Sequence, residues 1–315
     1  MAATAPPVAI RSSVELALTG RRADVRGRLF QVALLLTLLL SLLFLVVLLW
    51  VTLVDAWPVL SERGWNFVSS NLSSIESRAG VRQGVVGSFV LIGFVGLTAL
   101  PIGIGAAIYL QEYARDSALN RLLIANIRNL AGVPSIVFGI LGLVVFVQTF
   151  RSFTGPSSSG RSYISGGLTL SVLVMPIIIL VTMEALRAVP KSIREAAYGV
   201  GATRWEVIRS HVLPYAAPGI FTGTILSLAR AFGETAPLLL VGAVTGFLST
   251  PGHQGVLEIF QGPYTALPTE IYAWAKLPGE EWRANTAAAI VVMLVAILAV
   301  NAVAIVLRNR YERKW

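Results

Sequence analysis

Long apolar segments without charge constrain the fold of this chain most. Residues 29–54 carry no charged side chain and are rich in leucine. A helix of about 20 apolar residues crosses a bilayer core about 30 Å thick. Although Arg21, Arg22, Arg26 and Arg28 precede it, the segment is too long for the apolar part of a signal peptide, and no small-residue cleavage site follows. It predicts an uncleaved transmembrane helix at the periphery of the protein.

Five further apolar segments are long enough to cross a membrane. They cover about residues 83–110, 122–150, 163–185, 219–247 and 284–307. The composition agrees, since 13% of the residues are charged, whereas an average soluble domain is roughly 25% charged. The sequence predicts an all-α polytopic membrane protein with six transmembrane helices.

The distribution of lysine and arginine predicts the orientation. With the N-terminus in the cytoplasm, the inner segments hold 16 basic residues and the outer loops hold 6. Inner loops carry the excess of basic residues in membrane proteins, so both termini are expected in the cytoplasm. The predicted organisation is a tail at 1–28, the first helix at 29–54, an outer loop at 55–82, a core at 83–307 and a tail at 308–315.

Two outer segments are predicted to be loops. Residues 151–161 contain Gly155, Pro156 and then a run of three consecutive serines, which is typical of a flexible loop. Residues 249–281 form a longer loop that is rich in proline and glycine. Aromatic residues in and after it are expected to lie along the membrane surface or to contact a partner: Tyr264, Tyr272, Trp274 and Trp282.

Four of the six segments contain a proline that is expected to break the helix: Pro101, Pro134, Pro176 and Pro237. A proline inside a helix frees a carbonyl group, which protein or cavity water must satisfy at membrane depth. Broken helices line the binding sites of many transporters. The pattern places these four segments in a core near a translocation path. Ordinary helix packing is the alternative, because glycine and proline are common in membrane helices.

Arg230 and Glu234 are the charges most deeply placed in an apolar segment. They lie four residues apart, so they share a helix face and can pair. Intramembrane charges usually mark a functional site, and the planar guanidinium fits a tetrahedral oxyanion. An internal salt bridge between helices is the alternative. Arg128 is a second candidate, although its side chain is equally able to reach the cytoplasmic interface.

The most specific segment is the inner loop at residues 188–214. Ser192 with Glu195, and Thr203 with Glu206, have the spacing of capping boxes. Gly201 lies between them, where a helix end favours a left-handed residue. The loop is predicted to form two short helices, the first of which exposes Ile193, Ala197 and Val200 to a partner.

This loop resembles the EAA loop of ABC importer permeases, which have the MetI-like fold. The resemblance is carried by Glu195, Ala196, Ala197, Gly201, Leu213 and Pro214. It implies a coupling helix that inserts into a cleft on a separate ATPase subunit. His211 departs from the pattern, which often has an aliphatic residue there. Glu195 has the alternative role of a helix cap, and the two roles are compatible.

Two further segments resemble phosphate-importer permeases of the PstA type: residues 129–139 and residues 229–238. The resemblance covers most of residues 83–307 and none of the first 28. It implies that Arg230 and Glu234 lie in the translocation path. Thr235 and Ser135 belong to the same two segments, and with Arg128 they complete the candidate pathway residues.

The resemblance also implies partners. These are a second permease of the PstC type, two ATPase subunits of the PstB type that bind ATP and Mg²⁺, and an external phosphate-binding protein of the PstS type. The chain itself has no cysteine and only two histidines, and no phosphate-binding loop of the nucleotide-binding type is found. No cofactor, metal or nucleic acid is therefore expected on it.

Three alternatives to a phosphate permease remain at this point. A permease for sulfate or molybdate would have a similar EAA loop. An intramembrane enzyme needs a nucleophile and base, or metal ligands, at membrane depth. The predicted spans contain no histidine and no aspartate, which argues against an enzyme. A passive scaffold or receptor subunit would need neither a coupling loop nor buried Arg230 and Glu234.

Overall fold

The structure, a computed structural model, describes residues 25–154, 158–245 and 256–311. Within these ranges every regular element is a helix. Five helices are long and apolar enough to cross a membrane, and a sharply bent pair makes a sixth if it is counted as one span. The all-α class and the approximate number of spans are confirmed.

Twelve helices are labelled here in chain order. They are α1 (Val25–Glu62), α2 (Gly64–Ser69), α3 (Arg82–Tyr113), α4 (Ala118–Ala131), α5 (Ser135–Phe150), α6 (Tyr163–Arg187), α7 (Lys191–Gly199), α8 (Arg204–Gly233), α9 (Ala236–Val241), α10 (Val256–Gln261), α11 (Leu267–Trp274) and α12 (Glu280–Tyr311). Helices α3, α5 and α8 each contain one π-helical turn.

The chain divides into two compact units, Met1–Val51 and Thr52–Trp315. The described part of the first unit, residues 25–51, is a continuous helical run. Its leucines occupy consecutive positions and therefore every side of the helix, as expected of a segment surrounded by lipid. Since α1 begins at Val25, the last residues of the predicted tail 1–28 are helical, and residues 1–24 lie outside the described part.

Helix α6 is the most buried of the long helices. Leu170, Val174 and Ile178 have almost no exposed surface and pack with Leu91 of α3 and Leu238 of α9. Glycine allows the closest approach: a Cβ on Gly103 of α3 would overlap the Ile178 side chain. Small residues at helix contacts are typical of membrane bundles. The second unit is therefore built around α6.

The four prolines lie in two kinds of position. Pro101 and Pro176 lie inside α3 and α6, which continue past them. Pro134 immediately precedes α5, and Pro237 is in the first turn of α9. A proline removes one hydrogen bond, and the structure tolerates this loss in two long helices. The prediction of four broken helices thus differs from the structure at Pro101 and Pro176.

The predicted third span, residues 122–150, consists of two helices. Helices α4 and α5 meet at an angle of 99° around Gly132, Val133 and Pro134. The residue before a proline is disfavoured in the α conformation, so the chain turns at Val133. Hydropathy alone does not reveal the turn, because apolar residues continue across it.

The predicted fifth span, residues 219–247, also differs from the structure. Helix α8 begins at Arg204 and ends at Gly233, and α9 begins at Ala236. Pro237 has no N–H to donate to the Gly233 carbonyl, and its ring would clash with that carbonyl in a continuous helix. The chain therefore breaks at Glu234 and Thr235. Phe247, the predicted end of the span, lies outside the described residues.

The predicted outer loop 249–281 contains α10 and α11. Tyr264, Trp274 and Trp282 are buried against the chain's own residues, while Tyr272 is exposed. Trp274 packs on both Phe67 and Trp282, with ring centroids 6.3 and 5.6 Å away. The prediction that these aromatic residues lie on the surface is wrong for all but Tyr272, because this segment folds back onto the bundle.

Candidate functional site

Arg230 and Glu234 form an ion pair where α8 ends. The Arg230 Nε atom lies 3.3 Å from a carboxylate oxygen of Glu234. Half of the Arg230 side chain is exposed, whereas Glu234 is largely covered. Glu234 follows the last residue of α8 and has an extended backbone. The carboxylate therefore contacts the guanidinium at Nε, and half of the Arg230 side chain remains accessible.

Helices α5 and α9 pack side by side in the same direction. A Cβ on Gly139 would contact Pro237, and one on Gly142 would contact Val241. The first residues of both helices therefore lie at the same end of the pair. This places Ser135, which begins α5, and Thr235, which precedes α9, near the break that holds Glu234. Ser135, Thr235 and Glu234 are all half-buried.

Arg128 belongs to a different helix, α4. It is exposed in the last turn of α4, just before the 99° bend. Among the described residues it forms no ion pair. The packing of α5 on α9 thus places Ser135 and Thr235 towards the Arg230–Glu234 pair.

The EAA-like segment forms α7, a tight turn and the start of α8. Pro190, and not Ser192, precedes the first residue of α7, and no side chain caps that helix. The predicted capping box of Ser192 with Glu195 is wrong, because the helix begins at Lys191, two residues before the start that Ser192 would cap. Glu195 and Ala196 are exposed on α7.

The turn between the two helices follows the prediction. Gly201 has φ +85°, in the left-handed region where a Cβ is unfavourable. Thr203 and Glu206 form a complete capping box at the start of α8. Pro214 is accommodated by the π-helical turn Ile208–Val212 just before it, which carries the helix past the missing N–H. Leu213 is half-buried and Pro214 is exposed.

One face of α7 is buried by the chain itself. Ala197 packs with Leu186, Val189 and Val207, and Ile193 lies against the same cluster. The prediction that Ala197 is exposed is wrong, because the start of α8 folds back beneath it. Val200 remains 85% exposed. The surface of α7 that the chain's own residues leave uncovered is therefore its outer edge.

An apolar groove of about 430 Å³ opens beside α7. It is lined by Ile193, Ala196, Ala197, Val200, His211 and Tyr215. His211, the residue that departs from the EAA pattern, lies in the wall of this groove and is exposed. Its imidazole is therefore accommodated without entering the core.

The EAA-like segment is tied to the end of α3. Arg194 of α7 donates to Glu112 over 2.7 Å and to the carbonyls of Leu186 and Val189 over 2.8 Å each. Arg204 of α8 donates to the Glu112 carbonyl and stacks on the Tyr113 ring at 5.0 Å. Sequence reasoning missed Glu112, because only the fold brings it to residues so far along the chain.

A buried acid lies at the other end of the bundle, also unforeseen. Glu270 of α11 has no exposed surface and accepts a hydrogen bond from the Thr265 hydroxyl over 3.1 Å. Its other oxygen has no hydrogen-bond partner among the described residues and faces Gly84 of α3. Burial raises the pKa of Glu270 well above its ordinary value, since a charged carboxylate is poorly solvated there.

These features define the class of the protein as a membrane permease with an EAA-like loop. A family model described as "Binding-protein-dependent transport system inner membrane component" matches residues 99–315. The chain belongs to this family, and it is not an enzyme.

Two curated relatives are examples of the similarity. The phosphate transport system permease protein PstA 1 of Mycobacterium tuberculosis (strain CDC 1551 / Oshkosh) is 31% identical over 85% of this chain and 84% of that protein. The "Probable ABC transporter permease protein YqgI" of Bacillus subtilis (strain 168) is 34% identical over 59% of this chain and 60% of that protein. The alignment with YqgI thus spans less than two thirds of the length of that relative.

A solved structure shows the same fold. A chain of a bacterial alginate ABC transporter, in complex with an alginate pentasaccharide-bound periplasmic protein, superposes with a TM-score of 0.65. The match covers 92% of this chain and 96% of the other at 18% identity. The arrangement of helices is therefore that of ABC importer permeases.

Proposed function

We propose that this chain is a permease subunit of an ATP-driven ABC importer and that it forms, with a second permease, the membrane pathway for inorganic phosphate. The observation that carries the proposal is the half-exposed guanidinium of Arg230, held by Glu234 at the break between α8 and α9. A planar fork of donors suits a tetrahedral oxyanion. The similarity to PstA phosphate permeases supports phosphate as that anion.

The proposed assembly has four kinds of component. The second permease is of the PstC type, two PstB-type ATPase subunits bind ATP and Mg²⁺, and a PstS-type protein delivers phosphate from outside. The exposed edge of α7, with Glu195, Ala196 and Gly201, is the proposed contact with an ATPase subunit. The apolar groove beside it and its solvent-exposed Val200 support a docking role.

The proposed location is the plasma membrane of a bacterium, with both termini in the cytoplasm. The excess of basic residues in the predicted inner segments supports this orientation. The chain has no native cysteine, so single cysteines report the topology directly. In spheroplasts, a membrane-impermeant maleimide should label Ile75→Cys and leave Val200→Cys unlabelled until the membrane is broken. Both sites are exposed, and the reverse pattern would overturn the orientation.

The substrate is tested with the four components reconstituted in proteoliposomes. Accumulation of labelled phosphate should depend on ATP and on the binding protein, and the permease without its ATPase should transport nothing. Sulfate and molybdate, each supplied with a binding protein of matching specificity, form the comparison. Transport of either anion in place of phosphate would contradict the proposal, while leaving the chain an oxyanion permease.

A further inference from the structure

Two further arginines lie near the start of α6, at the end of that helix opposite to the EAA-like loop. Arg151 and Arg161 line one cavity of about 580 Å³ between the end of α5 and the residues that follow α9. Helix α6 has 25 residues, so it separates this cavity from the EAA-like loop by about 37 Å at about 1.5 Å per residue. The cavity therefore opens on the side that would face a binding protein.

The walls of the cavity are held by specific contacts. The hydroxyl of Ser158 donates to the carbonyl of Gln261 over 2.8 Å. The N–H of Val244 donates to the carbonyl of Tyr264 over 2.7 Å. The stem of Arg161 occupies the space beside Gly242 that a Cβ would fill. Gly242 has φ +95° at the end of α9, so both its conformation and this packing favour glycine.

The charges in the cavity are of one sign. Among the described residues, neither Arg151 nor Arg161 forms an ion pair, and both are exposed. Gln148 and Ser158 add polar groups to the lining, and the described lining contains no carboxylate. Two guanidinium groups without a counter-charge repel each other. An oxyanion between them would relieve this repulsion and accept charge-assisted hydrogen bonds.

Helix α9 connects this cavity with the Arg230–Glu234 pair. Its six residues extend about 9 Å at about 1.5 Å per residue. Thr235 and Glu234 lie just before its first residue, and Gly242 beside Arg161 lies just after its last. We propose that Arg151 and Arg161 form a site that first receives a phosphate group. Helix α9 separates this site from the Arg230–Glu234 pair. The proposal rests on the proposed function, because it assigns the outer step of the same pathway.

The test uses the four-component importer in proteoliposomes and compares Arg151→Gln, Arg161→Gln and the double variant. Arg78→Gln is the matched control, since Arg78 is an exposed arginine of the other predicted outer loop. At sub-saturating phosphate-loaded binding protein, the double variant should slow initial uptake at least about tenfold, because two charge-assisted hydrogen bonds are lost. ATP hydrolysis without binding protein should not change, and Arg161→Lys should restore part of the rate.

Free phosphate and a phospholipid headgroup carry the same chemical group. Vesicles of phosphatidylcholine alone, and vesicles that also contain phosphatidylglycerol, separate the two sources. If the double variant takes up phosphate more slowly in both kinds of vesicle, and more phosphate-loaded binding protein restores the rate, the ligand is free phosphate. A loss confined to vesicles with phosphatidylglycerol identifies the headgroup.

Uptake by the double variant that equals wild type in both vesicle types would overturn the site, as would an equal loss in Arg78→Gln. Arg151→Gln is the second variant because Arg161, whose stem packs against Gly242, is the one whose substitution disturbs the packing. If wild type transports another oxyanion, the proposed function fails, and the same variants then test the pocket with that anion.

Discussion

The carboxylate of Glu112, at the end of α3, lies 2.7 Å from the guanidinium of Arg194 on α7. Both side chains are mostly shielded from solvent, at 11% and 19% exposure. Arg194 also binds two carbonyls where α6 ends and α7 approaches. A displacement of α7 by an ATPase would therefore move α3 and α6 together. Arg194 thus links the EAA-like segment to α3 and to the end of α6.

Glu112→Gln is expected to weaken this link. The variant leaves Arg194 without its counter-charge, which should lower the free energy of unfolding by about 1–3 kcal/mol and reduce the phosphate transported per ATP hydrolysed. A double-mutant cycle with Arg194→Gln should give a coupling energy of about 0.5–3 kcal/mol. Asp116→Asn is the control, because the Asp116–Arg121 pair is at least 66% exposed on both sides. If Glu112→Gln and wild type transport the same amount of phosphate per ATP hydrolysed, the pair plays no part in coupling hydrolysis to transport.

Gly201→Ala tests the left-handed turn between α7 and α8. The backbone at Gly201 has φ +85°, and a Cβ there costs about 1–2 kcal/mol. The thermal unfolding temperature should fall, and less ATPase should remain bound to the purified complex. Gly199→Ala is the matched control, since both glycines have open space where a Cβ would lie and only Gly201 has a positive φ. Equal effects of the two substitutions would mean that the turn does not depend on this conformation.

Glu270→Gln tests the buried acid. Because burial raises the pKa of Glu270 in the folded protein above its ordinary value of 4.5, the folded state retains a proton that the unfolded state loses as the pH rises past 4.5. Stability from this group is complete below that pH and declines as the pH rises towards the folded pKa. A neutral amide removes this dependence.

The unfolding temperature of Glu270→Gln minus that of wild type should therefore increase as the pH is raised from 4.5 to 7.5. Detergent-solubilised protein and tryptophan fluorescence are suitable for the measurement. Glu62→Gln, at an exposed acid, should follow wild type at every pH. A constant difference between Glu270→Gln and wild type would show that Glu270 is not protonated in the folded state.

The sequence predicts best those features that depend on local chemistry. The long apolar segments, the positive φ of Gly201 and the capping box of Thr203 with Glu206 each follow from residues close together in the chain. The breaks at Pro134 and Pro237 follow from the prolines, whereas hydropathy alone gives one span across each because apolar residues continue across both. The proline residues were recognised, but Pro101 and Pro176 show that a proline alone does not decide where a helix ends.

The contacts that sequence reasoning missed join residues far apart in the chain. Glu112 and Arg194 are separated by 82 positions, and no periodicity connects them. Glu270 lies in a segment that is predicted to be a loop containing proline and glycine, and its burial depends on Gly84 leaving room for the carboxyl group. By contrast, Arg230 and Glu234 could be paired in advance because they lie four residues apart.

Labelled phosphate uptake by the four-component importer with Arg230→Gln tests the central claim most directly. Uptake should fall to the level of vesicles without ATP, while the complex still assembles and hydrolyses ATP. Arg82→Gln, at an exposed arginine at the start of α3, should transport like wild type. Undiminished phosphate uptake by Arg230→Gln would contradict the claim that this guanidinium meets the anion in the pathway.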